Sequence, residues 1–324
     1  MDAPKPKLRW FQYSLRTLLV VVTLFAIACS WLAVKRQQAR REREAAAAFK
    51  TLGWQVNWSL PSGPVWLRKL IGDDLFTHVE SLSLVGPNGT DAELEHLKGL
   101  SHLQILFLTG TNVTDTGLEN VKGLGELKEL DLDATNVTDK GLENLKRLRQ
   151  LKVLHCDQTK VTDMGLENLK GLSQLTALTL DHTRVTDSGL ENIKGLSQLR
   201  TLTLSGTKVT NAGVENLRGL GQLTLLSLSD TGVSDVGLEN LKGLSQLRVL
   251  RLDGTHVTDT GLEKLKGLSE LQRLYLDATA ITDMGLENLK GLSQLILLRL
   301  GGTNVTPEGI KKLQQALPNC KIQY

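Results

Sequence analysis

The chain has 324 residues, of which 40% are hydrophobic and 4% aromatic, and its formal net charge is +3. Residues 1–50 contain ten Lys and Arg against three acidic residues, which leaves 28 against 32 in the rest of the chain. Because an acidic body with few aromatic rings lacks the basic, ring-lined groove typical of nucleic-acid binding, we predict no nucleic-acid partner.

An apolar run over residues 17–34, TLLVVVTLFAIACSWLAV, follows a basic N-terminal segment, residues 1–16. Eighteen uncharged residues at about 1.5 Å each approach the thickness of a bilayer core, which predicts a transmembrane helix or signal anchor. Positive residues flank both ends, so the orientation stays open. The letters AIAC at 26–29 also permit a cleaved signal peptide or a lipoprotein signal with Cys29 lipidated. Since the apolar run continues to Val34, we favour an uncleaved single-pass membrane protein.

Two short segments connect this run to the rest of the chain. Residues 35–52, KRQQARREREAAAAFKTL, are rich in helix-forming residues and predict a juxtamembrane helical stalk. Residues 53–79 contain Trp54, Trp58 and Trp66. A stack of repeated units exposes apolar surface at its ends, so we predict that this tryptophan-rich segment is an N-terminal cap.

Residues 80–324 are a tandem array of about ten 24-residue units with a C-terminal cap. A typical unit is Gly195–Arg218, GLSQLRTLTLSGTKVTNAGVENLR, in which Leu199, Leu202 and Leu204 give the spacing L-x-x-L-x-L. The alternation of leucine with polar residues predicts one short strand per unit, with the leucines inward. Stacked units of this kind form an α/β solenoid: a horseshoe with a parallel inner sheet and short outer helices, preceded here by one N-terminal transmembrane helix.

The second half of each unit predicts the outer helix. The stretch TDMGLENLKGLSQL occurs at residues 162–175 and again at 282–295. Its Thr is a favoured helix N-cap, and its Asp suits the positive end of the helix. The glycine after the lysine, as in Gly171, Gly195 and Gly291, predicts a left-handed C-cap.

The unit VTDxGLENLKGLxxLxxLxL resembles the leucine-rich repeat subtype found in F-box proteins and in many bacterial arrays. The opening, YSLRTLLVVVTLFAIACSWLAVKRQQARREREA followed by GPVWLRKLIGDDLF, resembles membrane-anchored leucine-rich repeat proteins of planctomycete bacteria. This resemblance implies a bacterial protein with one membrane span. No F-box precedes the array, so a role in a ubiquitin ligase does not carry over.

Function is expected in the outward-facing residues, which vary between units. They are polar and form an acidic group near the start of the array and a basic and aromatic group near its end. Our hypothesis is that this face binds a protein of complementary charge. The alternatives are a simply solvated acidic surface and a cation site, although no Asp-rich calcium loop is present. The predicted binding residues are Glu129, Asp131, Asp133, His155, Asp157, Asp181, Arg251, Arg273, Tyr275 and Arg299.

The sequence contains no G-x-S-x-G, phosphate-binding glycine loop or H-E-x-x-H motif, and its three cysteines have no paired spacing. We therefore predict no enzyme activity, catalytic residue, metal site, cofactor or small-molecule substrate. Two functions follow as hypotheses. The first is a membrane-tethered protein-protein interaction module that uses the concave face. The alternative is a structural spacer or scaffold of the cell envelope without a specific concave ligand.

Overall fold

The computed structural model describes residues 15–324, so almost all of the basic segment 1–16 lies outside the described residues. Helix α1, Leu15–Thr51, runs without a break through the predicted membrane span and the predicted stalk. Within the described chain it is the one helix long and apolar enough to cross a membrane, and none of its apolar 18-residue window is buried. A signal sequence has the same properties, so both interpretations fit this helix.

The second half of α1 packs against the array. Four of its side chains are buried: Glu42, Ala45, Ala46 and Phe49. This face contacts a 3-10 helix of the first unit, Glu93–Gly99. The Glu42 carboxylate also accepts the backbone N–H of Val79 at 3.2 Å. The end of α1 thus covers the apolar end of the solenoid together with Trp54, whose ring centroid is 4.8 Å from that of Phe49.

Twelve strands form one open sheet in chain order. The first strand pairs antiparallel with the second, and all other pairs are parallel. Ten strands, β2 to β11, lie at the ten predicted registers, while β1 and β12 extend the sheet at its two ends. The strands are β1 Gln55–Trp58, β2 Val79–Ser83, β3 Ile105–Phe107, β4 Glu129–Asp131, β5 Val153–His155, β6 Ala177–Thr179, β7 Thr201–Thr203, β8 Leu225–Ser227, β9 Val249–Arg251, β10 Arg273–Tyr275, β11 Leu297–Arg299 and β12 Lys321–Gln323.

The outer side consists of short helices, as the sequence predicts. They are α3 Asp115–Leu118, α4 Asp139–Leu142, α5 Asp163–Leu166, α6 Asp187–Leu190, α7 Asn211–Glu215, α8 Asp235–Leu238, α9 Asp259–Lys264, α10 Asp283–Leu286 and α11 Pro307–Ala316, while α2 Val65–Ile71 belongs to the N-terminal segment before the array. The 3-10 helices are Asp73–Leu75, Glu93–Gly99, Glu119–Gly123, Glu143–Leu145, Glu167–Leu169, Glu239–Leu241, Leu265–Gly267 and Glu287–Leu289. In most units one turn of α-helix therefore continues as a 3-10 turn.

The core is a continuous column of leucines between the sheet and the outer helices. Leu199, Leu202 and Leu204 are fully buried, and the same holds at the equivalent positions of the neighbouring units. Full burial of one such side chain contributes about 1.5–3 kcal/mol. Cys156 occupies a leucine position in this column, and burial raises the pKa of its thiol well above the usual range. It is therefore a packing residue and not a nucleophile.

Hydrogen bonds between neighbouring units explain the T-D-x-G motif. Asp139 accepts the backbone N–H of Thr162, in the next unit, at 2.7 Å and its hydroxyl at 2.6 Å. A Cβ atom on Gly165 would lie 2.5 Å from the same carboxylate, so only glycine leaves room for it. We call this series the outer ladder. Its acceptors are Asp91, Asp115, Asp139, Asp163, Asp187, Asn211, Asp235, Asp259 and Asp283.

The predicted glycine C-caps are wrong. Gly171, Gly195 and Gly291 do not have positive φ, and a Cβ atom there would meet open space. The left-handed residue instead follows each strand, where the chain turns towards the outer side. This position recurs every 24 residues and is not restricted to glycine: Gly86, Gly110, Ala134, Gln158, His182, Gly206, Asp230, Gly254, Ala278 and Gly302.

Candidate functional site on the concave face

The parallel strands bring the variable residues into straight columns on the face of the sheet that lies opposite the outer helices, here called the concave face. From β2 to β11, the last residue of each strand pairs directly with the last residue of the next. This middle column reads Ser83, Phe107, Asp131, His155, Thr179, Thr203, Ser227, Arg251, Tyr275 and Arg299. Its neighbours are therefore fixed by register at about 4.8 Å per strand.

The predicted acidic residues lie together and are hydrogen-bonded to the backbone of the next unit. Asp133 accepts the N–H of Asp157 at 2.6 Å, and Asp157 in turn accepts the N–H of Asp181 at 2.7 Å. Asp181 accepts the N–H of Ser205 at 2.6 Å. We call this series the inner ladder. Each of these carboxylates thus supports the fold through one oxygen, and the carboxylate of Asp157 also accepts a hydrogen bond from the Thr179 side chain.

Desolvation and like charge disfavour the ionised forms of Asp133 and Asp157. Burial, together with the nearby carboxylates of Asp157 and Asp131, raises the pKa of Asp133 to about 6, against the lowering effect of the N–H that it accepts. Burial likewise raises the pKa of Asp157. A cationic partner group would relieve both effects, because an opposite charge favours the ionised form.

The remaining residues of the acidic group have local partners. Asp131 accepts the N–H of Asp133 at 2.8 Å and the hydroxyl of Thr109 at 2.8 Å. His155 lies on the neighbouring strand, with Nδ1 at 3.2 Å from the Thr179 hydroxyl. Glu129 begins β4 and is half-buried. The carboxylates therefore form one surface, but no arrangement in residues 15–324 brings three or more His, Cys, Asp or Glu side chains together as a metal site.

The predicted basic and aromatic residues also lie together, on β9 to β11. Arg251 stacks over the Tyr275 ring, with its guanidinium carbon 5.1 Å from the ring centroid. Asp253 lies 3.5 Å from the Arg251 side chain. Asp277 pairs with Arg299 at 2.7 Å, so acidic residues of the third column neutralise part of this group. Arg273 is exposed and makes no side-chain hydrogen bond or ion pair within the described part of the chain, which leaves it free for a partner.

Two features of this face are missing from the sequence prediction. The first residue of most strands is apolar and half-buried, which gives a broken apolar column: Ile105, Val153, Ala177, Leu225, Val249 and Leu297. The residue before each of several strands is basic: Lys128, Lys152, Arg200 and Arg248. Both the apolar column and the basic residues can be found in the sequence, by reading the first residue of each strand and the residue before it at the same 24-residue spacing. The concave face therefore has a basic entry edge, an apolar first column and an acidic exit edge.

Comparison with known proteins agrees with this architecture. A family model described as "Leucine-rich repeat region" matches residues 76–235, and one described as "Leucine Rich repeat" matches residues 244–266. The repeat array thus has the leucine-rich repeat fold, which confirms the predicted solenoid with a parallel inner sheet and short outer helices. The sequence has no match among curated proteins.

Two solved structures show the same fold. One is an internalin, inlF, from Listeria monocytogenes: the TM-score is 0.50 and the identity 19%, over 75% of this chain and 86% of that chain. The other is the mouse RP105/MD-1 complex, with a TM-score of 0.59 and 20% identity, over 75% of this chain and 42% of that chain. At these identities the similarity concerns the fold alone.

Proposed function

We propose that the chain is a membrane-tethered, non-enzymatic protein-binding module that uses the concave face. The main support is the three-part surface of that face, in which an apolar column lies between a basic edge and an acidic edge. Leucine-rich repeat solenoids offer extended concave surfaces for binding. A neighbour of the same fold was solved as a complex, RP105/MD-1.

The charge pattern defines the kind of partner. The basic part of the partner contacts the carboxylates of the inner ladder, where its positive charge favours the ionised forms of Asp133 and Asp157. Arg273 and Tyr275 are the anchors at the other end, since arginine and tyrosine are enriched among the residues that dominate binding energy. Six strand spacings, about 29 Å, separate β4 from β10, which carries Arg273 and Tyr275, so an elongated protein surface is needed to reach both groups.

The tether is α1. Its apolar half is exposed in the described chain, and an exposed apolar helix of this length is stable when lipid surrounds it. We propose that the span remains uncleaved, because the same helix continues into the cap, where Glu42 and Phe49 are buried. Cleavage near residue 29 would leave that cap attached to the solenoid but remove the membrane segment.

Affinity capture with crosslinking from membranes of the source organism tests the binding function. Because the inner ladder accepts backbone N–H groups, the acidic residues must be changed to amides, which keep one acceptor oxygen. The first variant carries Asp133→Asn, Asp157→Asn and Asp181→Asn, and the second carries Arg273→Glu. A matched control changes three exposed acids of the outer side: Glu143→Gln, Glu167→Gln and Glu191→Gln.

Loss of a captured protein from both concave variants, with retention by the outer control, is the expected result. Equal capture by all four proteins would contradict the binding function and favour the envelope spacer. Melting curves must show that every variant is fully folded at the temperature of the capture experiment, so that capture reports the surface and not the folded fraction.

A further inference from the structure

A cluster of large apolar side chains is exposed on the N-terminal cap, away from the concave face. Trp66 and Leu70 are 67% and 72% exposed, and they lie four residues apart on the same side of α2. Leu60 and Val65, which precede Trp66 in the chain, are also exposed. We call these four residues the α2 patch. A cluster of this kind on a folded domain marks an interaction surface, because single exposed leucines are common but grouped ones are not.

The structure places the base of this patch beside the end of the apolar run of α1. Ser62 and Phe76, which flank the segment containing α2, line one small cavity together with Lys35 and Gln38 of α1. Lys35 directly follows Val34, the last residue of the apolar run. The segment that carries the patch is therefore attached at the level at which α1 would leave a bilayer.

The attachment at this level is rigid. Arg43 of α1 pairs with Asp74 at 2.8 Å, just after α2, and also donates to the Asp74 carbonyl oxygen. Glu42 is 2% exposed, and its carboxylate accepts a hydrogen bond from the Val79 N–H. From Val34 to Glu42 the helix rises only about 12 Å. The headgroup region of a bilayer leaflet is about 5–8 Å thick, so little space separates the cap from the membrane surface.

We propose that the α2 patch is a lipid-binding surface that inserts into the headgroup region of the leaflet from which α1 emerges; this inference rests on the proposed membrane tether. The chemistry fits an interfacial site. Tryptophan is favoured at the boundary between headgroups and acyl chains, where its ring is buried and its N–H stays hydrated. Lys69 is exposed next to the patch, while Arg68 is paired with Asp73 at 3.2 Å.

The charges nearby favour lipid over an acidic protein partner. Arg36 and Arg41 are exposed on α1 within two turns of the apolar run, where they would meet lipid phosphates, while Arg40 pairs with Glu44 at 2.8 Å. Two attachments, the span and the patch, would fix the tilt of the solenoid. The concave face would then have a defined direction relative to the bilayer.

Depth measurement on the full chain in lipid vesicles tests this. A fluorescent probe is attached at position 70 through Leu70→Cys, with Cys29→Ser, in vesicles that contain nitroxide-labelled phospholipid. Cys156 and Cys320 are buried and escape labelling. The matched control is a probe at position 236 through Val236→Cys, since Val236 is 70% exposed on the outer side of the array. A probe on the native Cys29 reports the span itself.

We expect headgroup nitroxides to quench the probe at position 70 at least about threefold more than the probe at position 236. Adding Val65→Glu and Trp66→Glu should remove this difference while circular dichroism shows the fold intact. Quenching at Cys29 with equal quenching at positions 70 and 236 would overturn the lipid surface and leave the tether standing. No quenching at Cys29 would refute the tether itself. Shielding of position 70 from aqueous iodide without lipid quenching would show a protein cover and also overturn the proposal.

Discussion

Replacing Gly165 by alanine tests the outer ladder most directly. Gly165 is buried in the first turn of α5, and an added Cβ would lie 2.5 Å from Asp139 Oδ1 and 3.1 Å from two apolar side chains. Gly171, six residues later in the same unit, is the matched control, because a Cβ there meets nothing within 4 Å. The two substitutions are chemically identical and differ only in their contact with the ladder.

Two opposing contributions decide whether Gly165→Ala stabilises or destabilises the fold. Alanine favours a helix over glycine by about 1 kcal/mol, which would stabilise the variant. The Cβ displaces the Asp139 carboxylate, which accepts two hydrogen bonds from Thr162 at 2.7 and 2.6 Å. Hydrogen bonds to a charged group contribute about 1.5–3 kcal/mol each, and a partly lost pair costs about 3–4 kcal/mol. The net expectation is a loss of about 2–3 kcal/mol for Gly165→Ala and a change within about 0.5 kcal/mol for Gly171→Ala.

Urea unfolding of the full chain in detergent, followed by circular dichroism, measures both changes. A double-mutant cycle identifies the cause: with Asp139→Ala already present, Gly165→Ala should cost far less, because the carboxylate it displaces is gone. Equal stability of Gly165→Ala and Gly171→Ala would refute the steric explanation of the T-D-x-G motif. A cost at Gly165 that is unchanged by Asp139→Ala would place the strain elsewhere in the unit.

Three further changes give testable outcomes. Burial raises the pKa of Asp133 from 3.8 to about 6, so the stability that its protonated form contributes is complete below pH 3.8 and is lost as the pH rises through 6. The free energy of unfolding of Asp133→Asn should therefore exceed that of the unaltered chain at pH 7 by about 1 kcal/mol, once solvent screening of a half-buried group is allowed for. At pH 4 the two free energies should be equal, and a difference that persists at pH 4 in urea unfolding would contradict this. Gln158 has a φ of 56°, so Gln158→Gly should raise the thermal midpoint slightly, and a lower midpoint would show that its side chain matters more than its backbone. Glu42→Ala leaves the buried Val79 N–H without its acceptor, so hydrogen exchange should speed up in β2 but not beyond β4, whereas Glu42→Gln should change little.

Much of the fold could be predicted because the unit is local and repeated. The spacing of Leu199, Leu202 and Leu204 is sufficient to place a strand and its buried face, and the repeat length then fixes which residues become neighbours in the sheet. The columns of the concave face follow from the same arithmetic, which is why the 24-residue spacing alone places Arg251 beside Tyr275. Thr162 is correctly predicted as a helix N-cap because capping depends on the next two or three residues only.

Interactions between units could not be predicted in this way. The partner of Thr162 in the outer ladder is Asp139, 23 residues earlier, and nothing in a single unit shows that its carboxylate crosses to the next. The role of Gly165 follows only from that crossing. The repeat pattern also assigns glycine to the wrong turn: the Gly171 position is glycine in most units but is occupied by Arg147 in one, and its surroundings are open. Repetition shows that a residue type recurs at a position, but it does not show which contact requires that residue.

The same limit affects the acidic group of the candidate site. From the sequence, a row of aspartates on an exposed face suggests charge that is available to a partner. In the structure Asp133, Asp157 and Asp181 each hold the backbone of the following unit, so their presence is partly explained by folding. A charge reversal to lysine would break these bonds and lower stability and binding together. The amide substitutions separate the two effects, because the outer ladder already contains a natural example: Asn211 accepts the Ser234 N–H at 2.9 Å through its side-chain oxygen.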